Sequence, residues 1–437
     1  MKPILLWPVL MILFSFSLGA QSSFDDYEEL LDKAGYAENW EVRQKYTETI
    51  MAPFYTVMHV PAAVSSQIIS EGDVKFELRR AETSFYLLFL NEDEGEFPTL
   101  GRGNWVIKRD IRSGDFLQAK IFLQNDADTF IRLFPGEDRS YLDVYLYGRQ
   151  IYTKIPVSVA FEELILSPFA RITSLTENII DWNKILTDRT YEEWDILDDL
   201  SFELEKGAAR LEYVDDGAMN SREEWVYIET GELQTEEVTG VNCSGFLKWV
   251  ADGFYRPAPY GDGEWLTFEE LLELPEEWLE KESSWDRNFE HRDPRFGLDW
   301  TRNIAAILRE AFTGLETGYD QMDVDRVPFY DYKADVGYSA SELETILYLL
   351  AVDRPGRIYW GAVSSPWKPA GESVTLWQYY HTALFVPRFS EEGDFICDVF
   401  QSGEWTSLEI FLHTYGEDWV HLTVSDGLKT FDPPALP

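Results

Sequence analysis

Cysteine occurs only twice in the 437 residues, as Cys243 and Cys397, and histidine only five times. Two sulfurs permit at most one disulfide, so a hydrophobic core, not a covalent framework, must carry the fold. Basic residues are also few: 37 Lys and Arg stand against 79 Asp and Glu, a net charge of −42. That surplus repels phosphate backbones and anionic lipid, which argues against a nucleic-acid partner. Past Phe16 no apolar run is long enough to cross a bilayer, so no stable membrane span is expected beyond that point. No Gly/Pro/Ser-rich linker marks a domain boundary. Asp320, Asp323 and Asp325 lack the glycine and terminal glutamate of a calcium loop, and no metal site is expected.

What is present describes a globular chain with room for two domains: 45% hydrophobic and 15% aromatic residues. Lys2, the apolar stretch Ile4–Phe16 and the small-residue exit Ser17-Leu18-Gly19-Ala20 predict a signal peptide over residues 1–20. A membrane anchor is the alternative, but polar sequence follows at once. The expected destination is secreted or periplasmic. Residues 21–172 read as a helical lead-in (Tyr27, Leu30, Leu31 and Ala34 keep helical spacing) followed by a β-rich module. Alternation in Val74–Leu78, Asn104–Lys108, Phe116–Phe122 and Tyr141–Tyr147, separated by turns such as Arg112-Ser113-Gly114-Asp115, predicts an antiparallel sandwich or small barrel. Residues 173–437 read as an α+β domain. Thr267 with Glu270 and Ser339 with Glu342 form capping-box pairs, and Leu298–Phe312 keeps helical spacing.

The chemistry centres on Val241-Asn242-Cys243-Ser244-Gly245-Phe246 and the apolar run to Val250. A helix opening near Asn242 puts Cys243 in its first turn, where unpaired N–H groups and the helix dipole favour a thiolate. Two small residues behind it would let a carbonyl approach. The run Asn242–Phe246 resembles the (Asp/Asn)-Cys-Ser-Gly-(Phe/Leu) signature of NlpC-type cell-wall cysteine hydrolases. That resemblance implies a papain-like α+β domain, here with a large helical insertion, in which a His on a later strand and a third polar residue serve the cysteine. It also implies a peptide bond of peptidoglycan as substrate.

A thiol nucleophile needs a base that takes and returns its proton, and imidazole titrates in the right range. Among His59, His291, His381, His413 and His421, the choice is His381, which opens the strand-like run His381–Val386. Asp398 on the next strand is the candidate that orients the imidazole, with Gln401 as the fallback. Tyr227, Ser244 and Tyr380 are expected at the substrate side, and the N–H of Cys243 is the natural oxyanion donor. Neither metal nor organic cofactor is required. Cys243 could instead bridge Cys397, and strand alternation makes the two readings exclusive: Asp398 and Cys397 must face opposite ways. Trp249, Trp360, Trp377 and Tyr379 fit a groove or, more simply, the core. Two other classes stay open: a non-catalytic envelope binding protein on the same fold, and a thiol amidase or acyltransferase acting on a lipid or small amide.

Overall fold

Two-residue turns set much of the architecture. Tyr147 and Gly148 both take positive φ (47° and 75°), the conformation that joins antiparallel strands with the right twist. Leu146 therefore faces Arg149 across a tight hairpin. At the preceding Arg112–Asp115 turn, Asp110 Oδ1 accepts from the N–H groups of Arg112 and Ser113, both at 2.8 Å. The computed structural model describes residues 18–235, 238–273, 297–368, 376–426 and 430–436. Most of the expected leader, and His291, lie outside them.

The described chain divides into two compact units, Met1–Trp182 and Asn183–Pro437. The first carries helices α1 (Leu18–Lys33), α2 (Trp40–Lys45), α3 (Thr47–Met51) and α4 (Phe54–Val57). Strands β1 (Ala63–Ser66), β2 (Asp73–Arg80), β3 (Ser84–Asn91), β4 (Trp105–Asp110), β5 (Phe116–Phe122), β6 (Phe130–Pro135), β7 (Ser140–Leu146) and β8 (Arg149–Val157) follow, then α5 (Phe161–Leu164) and α6 (Phe169–Thr176). The eight strands pair in strict chain order. In place of a two-sheet sandwich there is one antiparallel meander, and no ladder joins β1 to β8 among the described residues. The unit extends past residue 172 because Phe169 packs edge-on against Trp182, whose Nε1 donates to Thr176.

The second unit holds α7 (Glu192–Ala208), the short strands β9 (Glu212–Tyr213), β10 (Gly217–Met219), β11 (Trp225–Tyr227) and β12 (Gly240–Val241), then α8 (Cys243–Tyr255), α9 (Phe268–Leu272), α10 (Leu298–Thr313), β13 (Tyr338–Ser339) and α11 (Leu343–Asp353). It closes with β14 (Ile358–Trp367), β15 (Leu376–Phe389), β16 (Phe395–Gln401), β17 (Glu404–Ser407), α12 (Leu408–Tyr415) and β18 (Trp419–Ser425). Its main sheet runs β13-β18-β14-β15-β16-β17, antiparallel throughout. The architecture is thus mixed α+β. The Thr267–Glu270 capping box forms at the head of α9. Ser339 instead precedes a 3₁₀ turn and makes no side-chain cap. Among the described residues no helix is long and apolar enough to cross a membrane.

Register assigns the two faces of this sheet. Pro387 opposes Cys397, Val386 opposes Asp398 and Phe385 opposes Val399. His381, Phe385, Cys397, Val399 and Gln401 therefore share one face, and Thr382, Val386 and Asp398 the other. Helices α11 and α12 cover the first: Tyr348 meets Phe395, and Phe411 meets Phe385. Helices α7 and α10 cover the second, where Ser201 donates to Asp398 and Thr423 donates to the Thr301 carbonyl.

Candidate active site

Asn242 caps α8, its Oδ1 accepting from the Gly245 N–H at 2.8 Å. Cys243 is the first residue of that helix, and every residue from Cys243 to Phe254 is buried. The small pair behind the thiol faces inward. A Cβ on Gly245 would overlap the Gly217 carbonyl oxygen and crowd Ala218, so glycine lets the helix end sit directly on β10. Ser244 is fully buried, and its carbonyl accepts from Trp300 Nε1 at 3.1 Å. The motif's small residues thus serve packing, where the sequence suggested substrate access.

The expected depression of the thiol pKa does not occur in the resting protein. Burial pushes Cys243 up, against a smaller pull from the N–H and hydroxyl groups of Thr382 and Ser244. His381 moves the other way: burial lowers it, partly opposed by its bond to Gln401. Both shifts favour the uncharged form of the group.

Three features place the imidazole. A bulge between Val363 and Ser364 leaves Tyr380 as the extra residue of β15, so Tyr379 and His381 turn to opposite faces. His381 Nε2 lies 2.5 Å from Gln401 Oε1. Its ring stacks on Tyr415 at the end of α12, with centroids 5.1 Å apart and planes 14° from parallel. Gln401 is held because it ends β16 at the two-residue turn Ser402-Gly403, whose φ values are both positive, and pairs with Glu404. A Cβ on Gly403 would lie 3.0 Å from Leu211 Cβ and 3.7 Å from Val241 Cγ2, so this turn tip sits beside the strand leading into Cys243.

Asp398 does not orient His381. It points to the other face, where Arg388 Nη1 (2.6 Å), Trp405 Nε1 (2.9 Å) and the Ser201 hydroxyl occupy its oxygens. The fallback, Gln401, is the residue in contact. Cys243 and Cys397 are both free and buried. Tyr227 pairs with Gly217, whose carbonyl accepts from the Asn242 N–H, one strand away from the thiol. The phenol whose charge couples to the thiol on this side is Tyr213, the ladder partner of Val241; partial burial, then Asp215 and Cys243, push its hydroxyl up. Tyr213 was legible only as part of a short parallel pair that sequence periodicity does not register. Tyr380 is half-exposed and donates to Asp418 at 2.7 Å. Trp249, Trp360 and Trp377 are core residues, and Tyr379 is partly exposed with its hydroxyl donating to the Asp335 carbonyl; Trp249 Nε1 donates to the Pro434 carbonyl and Trp360 Nε1 to Ser425.

Thiol and imidazole reach β15 at adjacent residues. Thr382, whose polar hydrogens act on the sulfur, directly follows His381. It lies past the last β15–β16 pair, Leu384 with Phe400, and is itself buried. Tyr415, stacked on His381, has its hydroxyl pushed up by burial, then by Cys243 and Asp418. One neighbourhood therefore holds Cys243, His381, Gln401, Tyr415 and Tyr213.

Residues 32–184 match the family model described as Domain of unknown function (DUF8515). That match ends well before Cys243. No curated protein and no solved structure matches the chain.

Proposed function

We propose that the second unit is a thiol hydrolase that cleaves an amide bond through an acyl-enzyme, with Cys243 as nucleophile and His381 as base. The observation that carries this reading is the neighbourhood just described. A cysteine heads a capped helix beside the residue that follows a histidine, and that histidine's far nitrogen is held by Gln401. A neutral imidazole is the form that can accept the thiol proton during attack and return it to the leaving amine. Gln401 fixes the ring, and the N–H of Cys243 is assigned to the oxyanion. Water then releases the acyl group. The NlpC-type resemblance of Asn242–Phe246 directs the proposal to a peptide bond of peptidoglycan in a secreted or periplasmic setting.

One observation favours a second reading, a non-catalytic binding protein: the thiol is buried and its ionisation is opposed. The same assay separates the two. Purified full-length protein is incubated with peptidoglycan fragments and new amino termini are counted. Cleavage is expected, with a loss of about a thousandfold or more in both Cys243→Ala and His381→Ala. Folded wild type that releases no amine from any fragment, or cleavage that survives in Cys243→Ala, would remove the hydrolase.

A further inference from the structure

A cavity of about 400 Å³ opens in the second unit at the start of β14, four positions before Val363, the partner of His381. Leu349, Leu350 and Val424 give it an apolar wall. Arg326, Arg354, Arg357 and Tyr359 give it donors, and Asp323, Asp325 and Asp353 line it as well. Such a meeting of guanidinium groups is unusual in a chain with 37 basic and 79 acidic residues. Among the described residues Arg354 pairs with Asp353 at 3.2 Å and Arg357 with Asp426 at 3.1 Å. A guanidinium has five N–H donors, so both keep hydrogens for a ligand. The decisive feature is Tyr359. It is 1% exposed, and its hydroxyl finds no hydrogen-bond partner among the described residues. Buried hydroxyl groups are almost always satisfied, and one that lines a cavity marks where an acceptor belongs.

We propose that this cavity binds a small monocarboxylate with a short apolar body. Its oxygens would accept from the Tyr359 hydroxyl and the Arg354 and Arg357 guanidinium groups, and its hydrocarbon would lie on Leu349, Leu350 and Val424. A single negative charge fits better than the double charge of phosphate, because Asp323, Asp325 and Asp353 line the cavity beside Arg326, Arg354 and Arg357 and already offset them. The proposal is independent of the thiol chemistry.

Calorimetric titration of the full chain tests it, using straight-chain carboxylates from acetate to hexanoate, 1-hexanol, hexylamine and inorganic phosphate. Affinity should rise with chain length, by up to about fourfold per buried methylene. Hexanol, hexylamine and phosphate should each bind at least tenfold more weakly than hexanoate. Tyr359→Phe should weaken hexanoate about fivefold or more without lowering the melting temperature of the free protein, since it removes a hydroxyl that has no partner. Arg357→Gln should cost at least tenfold; if that variant does not fold, Tyr359→Phe decides alone. Hexanol or hexylamine matching hexanoate, phosphate exceeding every carboxylate, or unchanged affinity in Tyr359→Phe would overturn the assignment.

Discussion

At the scale of single residues, the site is organised by burial more than by the helix dipole. A first-turn cysteine gains from the positive helix end, but the effect is modest and local, while full desolvation of a thiolate is costly. Cys243 shows the second term winning: its pKa is raised above the ordinary 9.0. Alkylation by iodoacetamide should therefore speed up continuously through pH 9, with no plateau between pH 5 and 8. A plateau there would mean a preformed ion pair. His381 is depressed below 6.5, and the sign of its effect on stability follows. Its neutral form is favoured by folding, so it contributes stability above the unfolded pKa and loses it as pH falls through the folded one. Denaturant melts between pH 7 and 5 should show wild type losing more stability on acidification than His381→Gln. Equal losses would contradict the assignment.

At the scale of elements, α8 was the most legible part of the chain, because cap, cysteine and apolar run all lie within a few residues. Its outward chemistry was readable; its inward packing was not. Nothing in Asn242-Cys243-Ser244-Gly245 says that Gly245 abuts the Gly217 carbonyl, since that contact joins residues far apart in sequence. Gly245→Ala should cost about 1–3 kcal/mol, as overpacking does. Asn242→Ala should cost about 1 kcal/mol by loss of the cap. The helix also buries Lys248 and Asp252 completely, paired at 2.6 Å, and Asp252 accepts from the Leu266 N–H at 2.8 Å. Burial outweighs the lysine and raises the Asp252 carboxyl to about 6. Asp252→Asn keeps the acceptor for Leu266 but strands the ammonium, at a cost of about 3–5 kcal/mol near pH 7. Adding Lys248→Met should recover most of that loss in urea melts. If the double variant is no more stable than Asp252→Asn, the stranded charge is not the cause.

At the scale of the molecule, length left room for two domains, and periodicity announced mixed α+β content with the strands of the N-terminal part. It did not announce that those strands form one meander, because alternation fixes which face a residue uses, not which neighbour it meets. The same limit explains Asp398 and Gln401. Both sit on β16, and only the register with β15, together with the Ser402-Gly403 turn, decides which one shares a face with His381. Charge, by contrast, is a property sequence states outright. At −42, the folded chain holds many like charges closer together than the unfolded chain does. Many of the ion pairs are exposed, such as Lys206–Glu203 and Arg139–Asp138, and such pairs are worth little and weaken with salt. Buried pairs such as Lys248–Asp252 and Arg302–Asp323 are screened far less. Salt should therefore relieve more repulsion than it removes attraction. The melting temperature at pH 7.5 should rise by several degrees between about 0.02 and 0.5 M sodium chloride, a range over which the screening length falls severalfold. A falling melting temperature over that range would mean that local attraction, not net repulsion, governs the surface.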